Sequence, residues 1–331
     1  MNKILAIIAC LCVSGAVQAA SSCISDVQLN GINLAGAEFN SAAIPGVQWK
    51  NYVFPTTKQL EYYRDKGVKS IRLPITWNRM QLEAYGNLER GYLAEVKKVA
   101  DFAARNNICL IIDLHNYGGF KSKALSTYAN YDLIFYDFWA KMAREFKSDS
   151  VALGLMNEPA HLDRSTWRDL AQTTVNKLRS DQISNLILVS GGGWSGAHSW
   201  FSGTPSNATL FANFQDPLNK MVIEVHQYAD SNYSGTKSDC IDSAKMTRFL
   251  QNISVWAQEN QKRLWLGEFG FAATPDCMQT MRTKLDFIAV NKMWAGWSYW
   301  AAGAWWGNYP FSIEPNGGVD KPQMNYLEKR F

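Results

Sequence analysis

Two glutamates, Glu158 in Asn157-Glu158-Pro159 and Glu268 in Glu268-Phe269-Gly270, each close a short apolar run of the chain. Two carboxyl groups held face to face can hydrolyse a glycosidic bond if one carries a proton for the leaving oxygen while the other is ionised. The residues that close other apolar runs fit this division of labour. Arg72, inside Ser70-Ile71-Arg72-Leu73-Pro74, offers two parallel donors and a permanent charge, which would keep a nucleophilic carboxylate ionised. Asn157 is an uncharged donor and acceptor suited to a sugar 2-hydroxyl, whose hydrogen bond strengthens in the transition state. His226 and Tyr228 can orient or polarise the carboxyl groups, His115 and Asn116 close a further run, and Trp300 supplies a flat apolar floor for a pyranose ring. A single charge at such a position reads as a structural ion pair. Six polar termini gathered at one face are not accounted for in that way.

These residues need a scaffold that brings distant segments to one surface. Short apolar runs occupy 27–34, 68–73, 108–114, 151–156, 186–189, 221–225, 264–267 and 293–299. Most are separated by stretches of helical period, such as 93–105, 135–146, 167–178 and 247–259. Near-continuous apolar strands alternating with helices indicate a parallel sheet covered by helices, and eight of them indicate an α/β (β/α)8 TIM barrel of a single domain, with its chemistry at the C-terminal strand ends. An open doubly wound sheet would want a G-x-G-x-x-G turn after the first strand, where this chain has Leu34-Ala35-Gly36-Ala37-Glu38-Phe39. The triplet Gly191-Gly192-Gly193 lacks a Lys-Ser/Thr partner for phosphate and reads as a turn that lets Trp194 reach the surface.

The chain has 13 Trp, of which Trp77, Trp194, Trp200, Trp305 and Trp306 fall where loops are expected. Trp300, Trp194 and Trp77 closely follow strands and are expected to bind substrate, beside the ordinary alternative of core packing for any one of them. The first residues, Met1-Asn2-Lys3, an apolar stretch over 4–13 and a small, polar stretch to Ala20 predict a secretory leader over 1–19, cleaved after Ala19 with Val17 at the small-residue position. The apolar stretch is too short for the roughly 20 residues of a membrane span. Residues 20–331 then form one catalytic barrel, secreted to the exterior or the periplasm, with no linker and no second module. A net charge of +4 without a basic run implies neither nucleic acid nor an anionic membrane as partner. A monomer is the default.

Cys10 and Cys12 leave with the leader, so Cys23, Cys109, Cys240 and Cys277 allow three pairings in an oxidising compartment. Cys240 and Cys277 lie in polar segments expected to be loops and are the stronger pair; Cys109 begins an apolar strand, where a buried thiol is the alternative to a bridge with Cys23. The four histidines, His115, His161, His198 and His226, lack H-x-H or H-E-x-x-H spacing, so neither a metal nor another cofactor is expected.

At these residues the chain resembles glycoside hydrolase family 5, the clan A cellulase family, and within it the fungal-type endo-β-1,4-glucanases of subfamily 5. The motifs are Gly31-Ile32-Asn33-Leu34-Ala35-Gly36, Arg72-Leu73-Pro74, Asp113-Leu114-His115-Asn116-Tyr117, Gly154-Leu155-Met156-Asn157-Glu158-Pro159, Glu224-Val225-His226-Gln227-Tyr228 and Gly267-Glu268. The resemblance implies hydrolysis of internal β-1,4-glucosidic bonds with retention, Glu158 as acid/base, Glu268 as nucleophile, and Arg72, His115, Asn157, His226, Tyr228 and Trp300 completing the site. Retention agrees with carboxyl groups about 5 to 5.5 Å apart. The resemblance also implies a Cys240–Cys277 bridge, whereas the relatives' counterpart of Cys109 pairs with a cysteine that this chain replaces near Phe102. The same chemistry on β-mannan, xyloglucan or mixed-linkage β-glucan is the near alternative. A non-catalytic sugar-binding barrel is a distant one, because both carboxylates and Arg72 are present. Sequons at Asn207, Asn232 and Asn252 carry no weight.

Overall fold

A computed structural model describes residues 23–331, so the expected leader and its cleavage point lie outside the described residues. Eight parallel strands close into a barrel: β1 (Leu29–Leu34), β2 (Ser70–Ile75), β3 (Cys109–Leu114), β4 (Val151–Gly154), β5 (Ile187–Ser190), β6 (Met221–His226), β7 (Leu264–Glu268) and β8 (Trp294–Ala302). Each pairs with the next, and β1 pairs with β8. Every expected strand is present, within three residues at each end.

Helices fill the crossovers: α1 (Thr57–Asp65), α2 (Arg90–Arg105), α3 (Tyr131–Glu145), α4 (Arg164–Ser180), the short α5 (Asn207–Ala212), α6 (Ser243–Glu259) and α7 (Pro275–Ala289). The N-termini of α2, α3, α4 and α6 precede the expected periodicity by three or four residues, and side-chain caps start α2, α4 and α6. Asp163 accepts from the Thr166 amide at 2.9 Å, Asp242 from the Lys245 amide at 2.8 Å, and Thr56 forms a capping box with Gln59.

Strand side chains divide between two apolar groups. One set, including Ile71, Leu73, Leu110, Ile112, Leu153 and Val225, packs under the helices. The other, Cys109, Ile111, Ala152, Leu188, Val222, Trp265 and Ala295, fills the lower barrel interior with Cys23. Strict alternation would place Glu268 on the same side as Leu266, toward the helices. A register shift prevents this: Val225 pairs with Leu266, but His226 pairs with Glu268, so one extra residue turns Glu268 inward. Gly267 is required beside it, because a Cβ there would stand 2.1 Å from Glu224 Oε1.

Both disulfides form. Cys240–Cys277 agrees with expectation, although Cys277 sits in the first turn of α7 instead of a loop. Cys23–Cys109 also closes, so Cys109 is not a free buried thiol. The Cys23 amide donates to Asp149 O at 2.8 Å, and the bridge anchors the first described segment to the base of β3. It links residues 86 positions apart, a span whose restriction in the unfolded chain gives a large entropic effect. The double variant Cys23→Ala/Cys109→Ala is expected to lose about 2–5 kcal/mol of unfolding free energy in urea titrations. Its turnover at 25 °C should be close to that of the parent, since the bridge lies at the end of the barrel away from the polar strand termini.

Candidate active site

Above the apolar layer, inward positions become polar at the C-terminal strand ends. Arg72 from β2 has no solvent exposure and occupies the centre. Its Nη1 donates to Asn33 Oδ1 at 2.8 Å and to Glu268 Oε1 at 3.0 Å; its Nη2 donates to Asn157 Oδ1 at 2.7 Å. Nη2 also lies 3.0 Å from Asp113 Oδ1 and 2.9 Å from Glu224 Oε1. One guanidinium thus faces three buried carboxylates, which together hold its pKa above the ordinary arginine value despite burial.

The two glutamates stand in different surroundings. Glu158 follows β4 in the left-handed region, φ 39°, a conformation costing about 1–3 kcal/mol that places its carboxyl over the barrel mouth. Its Oε1 lies 2.7 Å from His226 Nδ1. Burial raises its pKa more than the hydrogen bond and charge of His226 lower it. Glu268 is 4% exposed. Its Oε1 is held by Arg72, and its Oε2 accepts from Tyr228 Oη at 2.8 Å. Burial opposes ionisation here too, but His226, Arg72 and His115 outweigh it, and the pKa falls below the usual glutamate value.

Two histidines stand beside these groups. His226 spans Glu158 and Glu224, with Nε2 at 3.2 Å from Glu224 Oε1. Burial alone would lower its pKa, yet the surrounding carboxylates push it up to about 10. His115 Nδ1 lies 2.8 Å from Asp113 Oδ2 and its Nε2 lies 3.0 Å from Tyr117 Oη. Its ring stacks on Trp300 at 5.6 Å and 14°.

The structure brings Glu158, Glu268, Arg72, His115, Asn157, His226, Tyr228 and Trp300 together. Trp194 is 62% exposed beyond the glycine triplet, with its ring 6.2 Å from Tyr117. Asn116 borders the cleft, but its Oδ1 accepts from the Trp77 amide at 2.7 Å and its side chain holds the loop. Trp77 is a correction to the sequence reading: it is fully buried and packs against Phe120 and Phe138 at 4.6 and 5.1 Å. Its Nε1 is spent on Gln81 at 3.0 Å, so neither face nor edge can meet a sugar. Trp200, expected in a loop, is likewise buried, against Trp256.

Asn33, Asp113 and Glu224 were given no role by sequence reasoning. Asp113 and Glu224 each precede a site histidine by two residues, and the two-residue period of a strand puts such pairs on one face. Two cavities continue the mouth into a cleft sharing Tyr117 and His161. One of about 570 Å³ is lined by Glu158, Trp194, His198, His226, Tyr228 and Tyr233, and one of about 250 Å³ lies beside His115 and Asn116.

Carboxylate and imidazole atoms of Glu158, His226 and Glu268 lie within 4.8 Å of one another, close enough to ligate a cation. Glu158 accepts from His226, Glu268 from Tyr228 and Arg72, and the raised pKa of His226 keeps its ring nitrogens occupied by protons, a set suited to moving protons more than to holding a metal.

A closed (β/α)8 barrel with opposed carboxyl groups of unequal acidity at its C-terminal mouth is the architecture of a glycoside hydrolase. The chain belongs to the cellulase family, glycosyl hydrolase family 5, whose sequence profile matches residues 26–304. It is 32% identical over 292 residues to endo-β-1,4-glucanase B of Emericella nidulans, covering 87% of each chain. Among solved structures it is similar to XacCel5A in complex with cellopentaose, with a TM-score of 0.89 and 40% identity over 93% of this chain and 100% of that one. It is also similar to the endo-β-1,4-glucanase Xac0029 of Xanthomonas axonopodis pv. citri, with a TM-score of 0.88 and 38% identity over 92% of this chain and 98% of that one.

Replacing Arg72 by Lys keeps one charge but cannot serve Glu268 and Asn157 together. Because Arg72 lowers the Glu268 pKa, the acid limb of the kcat/KM–pH profile is expected to move to higher pH in Arg72→Lys. The maximum should fall by about 10²-fold, the scale for losing one preorganised electrostatic contact. An unmoved acid limb would dissociate Arg72 from the ionisation of Glu268.

Proposed function

We propose that the chain is a secreted, retaining endo-β-1,4-glucanase in which Glu158 is the acid/base and Glu268 the nucleophile. The observation that carries this reading is the unequal holding of the two carboxyl groups: Glu268 is bonded on both oxygens, by Arg72 and by Tyr228, whereas Glu158 bonds the imidazole of His226. Membership of glycosyl hydrolase family 5 supports retention, for which the two carboxyl groups stand about 5–5.5 Å apart and the nucleophile attacks directly.

In the first step Glu268 attacks the anomeric carbon as Glu158 passes its proton to the departing glycosidic oxygen. A covalent glycosyl-enzyme forms with inversion. In the second step Glu158, now a carboxylate, takes a proton from a water that attacks the same carbon, and Glu268 leaves; two inversions give net retention. Arg72 and Tyr228 hold Glu268 ionised and aimed, one on each oxygen. Asn157 is fixed by Arg72 through its Oδ1, which leaves its Nδ2, 3.3 Å from His115 Nε2, as the donor toward a sugar hydroxyl. Trp300, backed by His115, offers a ring face to the sugar at the point of cleavage, and exposed Trp194 offers another on the Glu158 side.

A cleft that runs on from Glu158 past Tyr117 and His161 into a second cavity beside His115 and Asn116 supports internal cleavage of a polymer. Two disulfides support work in an oxidising compartment, and no described helix is long and apolar enough to cross a membrane. We assign the working form as a monomer acting on β-1,4-glucan after removal of the leader.

Glu158→Gln and Glu268→Gln are each expected to lower turnover of carboxymethylcellulose by several orders of magnitude while the fold is kept, as read by circular dichroism. Proton NMR of early products should show the β-anomer first. An initial α-anomer would mean inversion and a different role for Glu268.

A further inference from the structure

Behind the carboxyl pair lies a lysine that the reaction does not use. Lys284 of α7 has no solvent exposure, and no opposing charge offsets that burial, which pushes its amine well below the ordinary lysine range. Its Nζ donates to the backbone oxygen of Gln227 at 2.6 Å. It also sits 4.7 Å from the ring centre of Phe269 and 5.6 Å from that of Phe271. None of these neighbours titrates.

The location explains why an amine belongs there. Gln227 joins His226 to Tyr228, and Phe269 directly follows Glu268. Beyond the end of β6 the ladder is running out: the Gln227 amide still donates to Glu268 O at 3.0 Å, while its carbonyl takes its donor from Lys284. A hydrocarbon side chain could fill the same space but would leave that carbonyl buried without a donor. Cys277, Thr280 and Lys284 follow one another at helical spacing on one face of α7. Cys277 is bonded to Cys240, and Thr280 Oγ1 donates to Ile241 O at 3.1 Å. One helix face therefore grips both ends of the segment 227–241, which carries Tyr228 and the cleft residues Asn232 and Tyr233.

We infer that Lys284 is a positioning residue, whose hydrogen bond to the Gln227 carbonyl holds His226 against Glu158 and Tyr228 against Glu268. The inference rests on the assignment of those two glutamates. Glu158→Gln and Glu268→Gln test that assignment separately, so the two can fail independently.

Lys284→Met keeps the volume and removes the donor. It is expected to lower kcat about 10- to 100-fold, the scale of a displacement of roughly an ångström at reacting groups, with KM for cellopentaose changed less than about threefold. Because the Tyr228 hydrogen bond helps lower the Glu268 pKa, the acid limb of the kcat–pH profile should move to higher pH. A folded Lys284→Met enzyme with parental kcat and acid limb, whatever its melting temperature, overturns the inference. If Lys284→Met does not fold, Lys284→Gln, which retains an amide donor on a shorter stem, is read in the same way, with a partial kcat loss and the same shift expected. If neither variant folds, Lys284 is a folding residue and the positioning role is overturned.

Discussion

A guanidinium shut away from water must be compensated by anions and acceptors, because an unpaired buried charge costs several kcal/mol. Arg72 is in that position, and most of the barrel mouth is its compensation. Asp113 from β3, Glu224 from β6 and Glu268 from β7 converge on it, and Asn33 and Asn157 accept from its two terminal nitrogens. A Cβ at residue 267 would collide with Glu224, and the register shift between β6 and β7 turns Glu268 inward. The arrangement is costly as a source of stability and effective as a constraint, since the five partners come from five different strands or strand ends.

That constraint divides two chemically identical side chains. Glu268 lies against Arg72 and Tyr228 and its pKa is lowered; Glu158, partly buried with a single imidazole partner, has its pKa raised by the loss of solvent. His226 couples them by bonding Glu158 while facing Glu268 at 3.7 Å, so a proton lost from one side is felt on the other. Glu224 and Asp113 serve the histidines from one layer below, where they reach no substrate.

The barrel was legible in the sequence because its strands are buried on both faces and so read as unbroken apolar runs, and because polar residues end them abruptly. The site was legible for the same reason: Glu158, His226 and Glu268 each sit where an apolar run stops. What periodicity could not give is the face on which Glu268 lies, since the two-residue alternation that places Arg72, Asp113 and Glu224 correctly fails at the shift before Glu268. Trp77 misled because its position after β2 suggested a loop, whereas a single helical turn over Trp77–Met80 folds its ring under Phe120 and into the core. Cys109 left two readings open because an apolar strand start suits a thiol as well as a disulfide; the partner, Cys23, reaches it by folding beneath the barrel, a path with no local signal. Lys284 was silent in the sequence because a lysine in an amphipathic helix ordinarily points to water.

The central claim, that Glu268 is the anion that bonds to the sugar, is tested most directly by trapping that bond. A 2-deoxy-2-fluoro-β-cellobioside with a good leaving group slows the second displacement more than the first, so the glycosyl-enzyme accumulates. Mass spectrometry of the digested adduct should show one sugar per chain, carried by the peptide containing Glu268. A label on Glu158, or turnover of the reagent by inversion with no covalent adduct, would contradict the account.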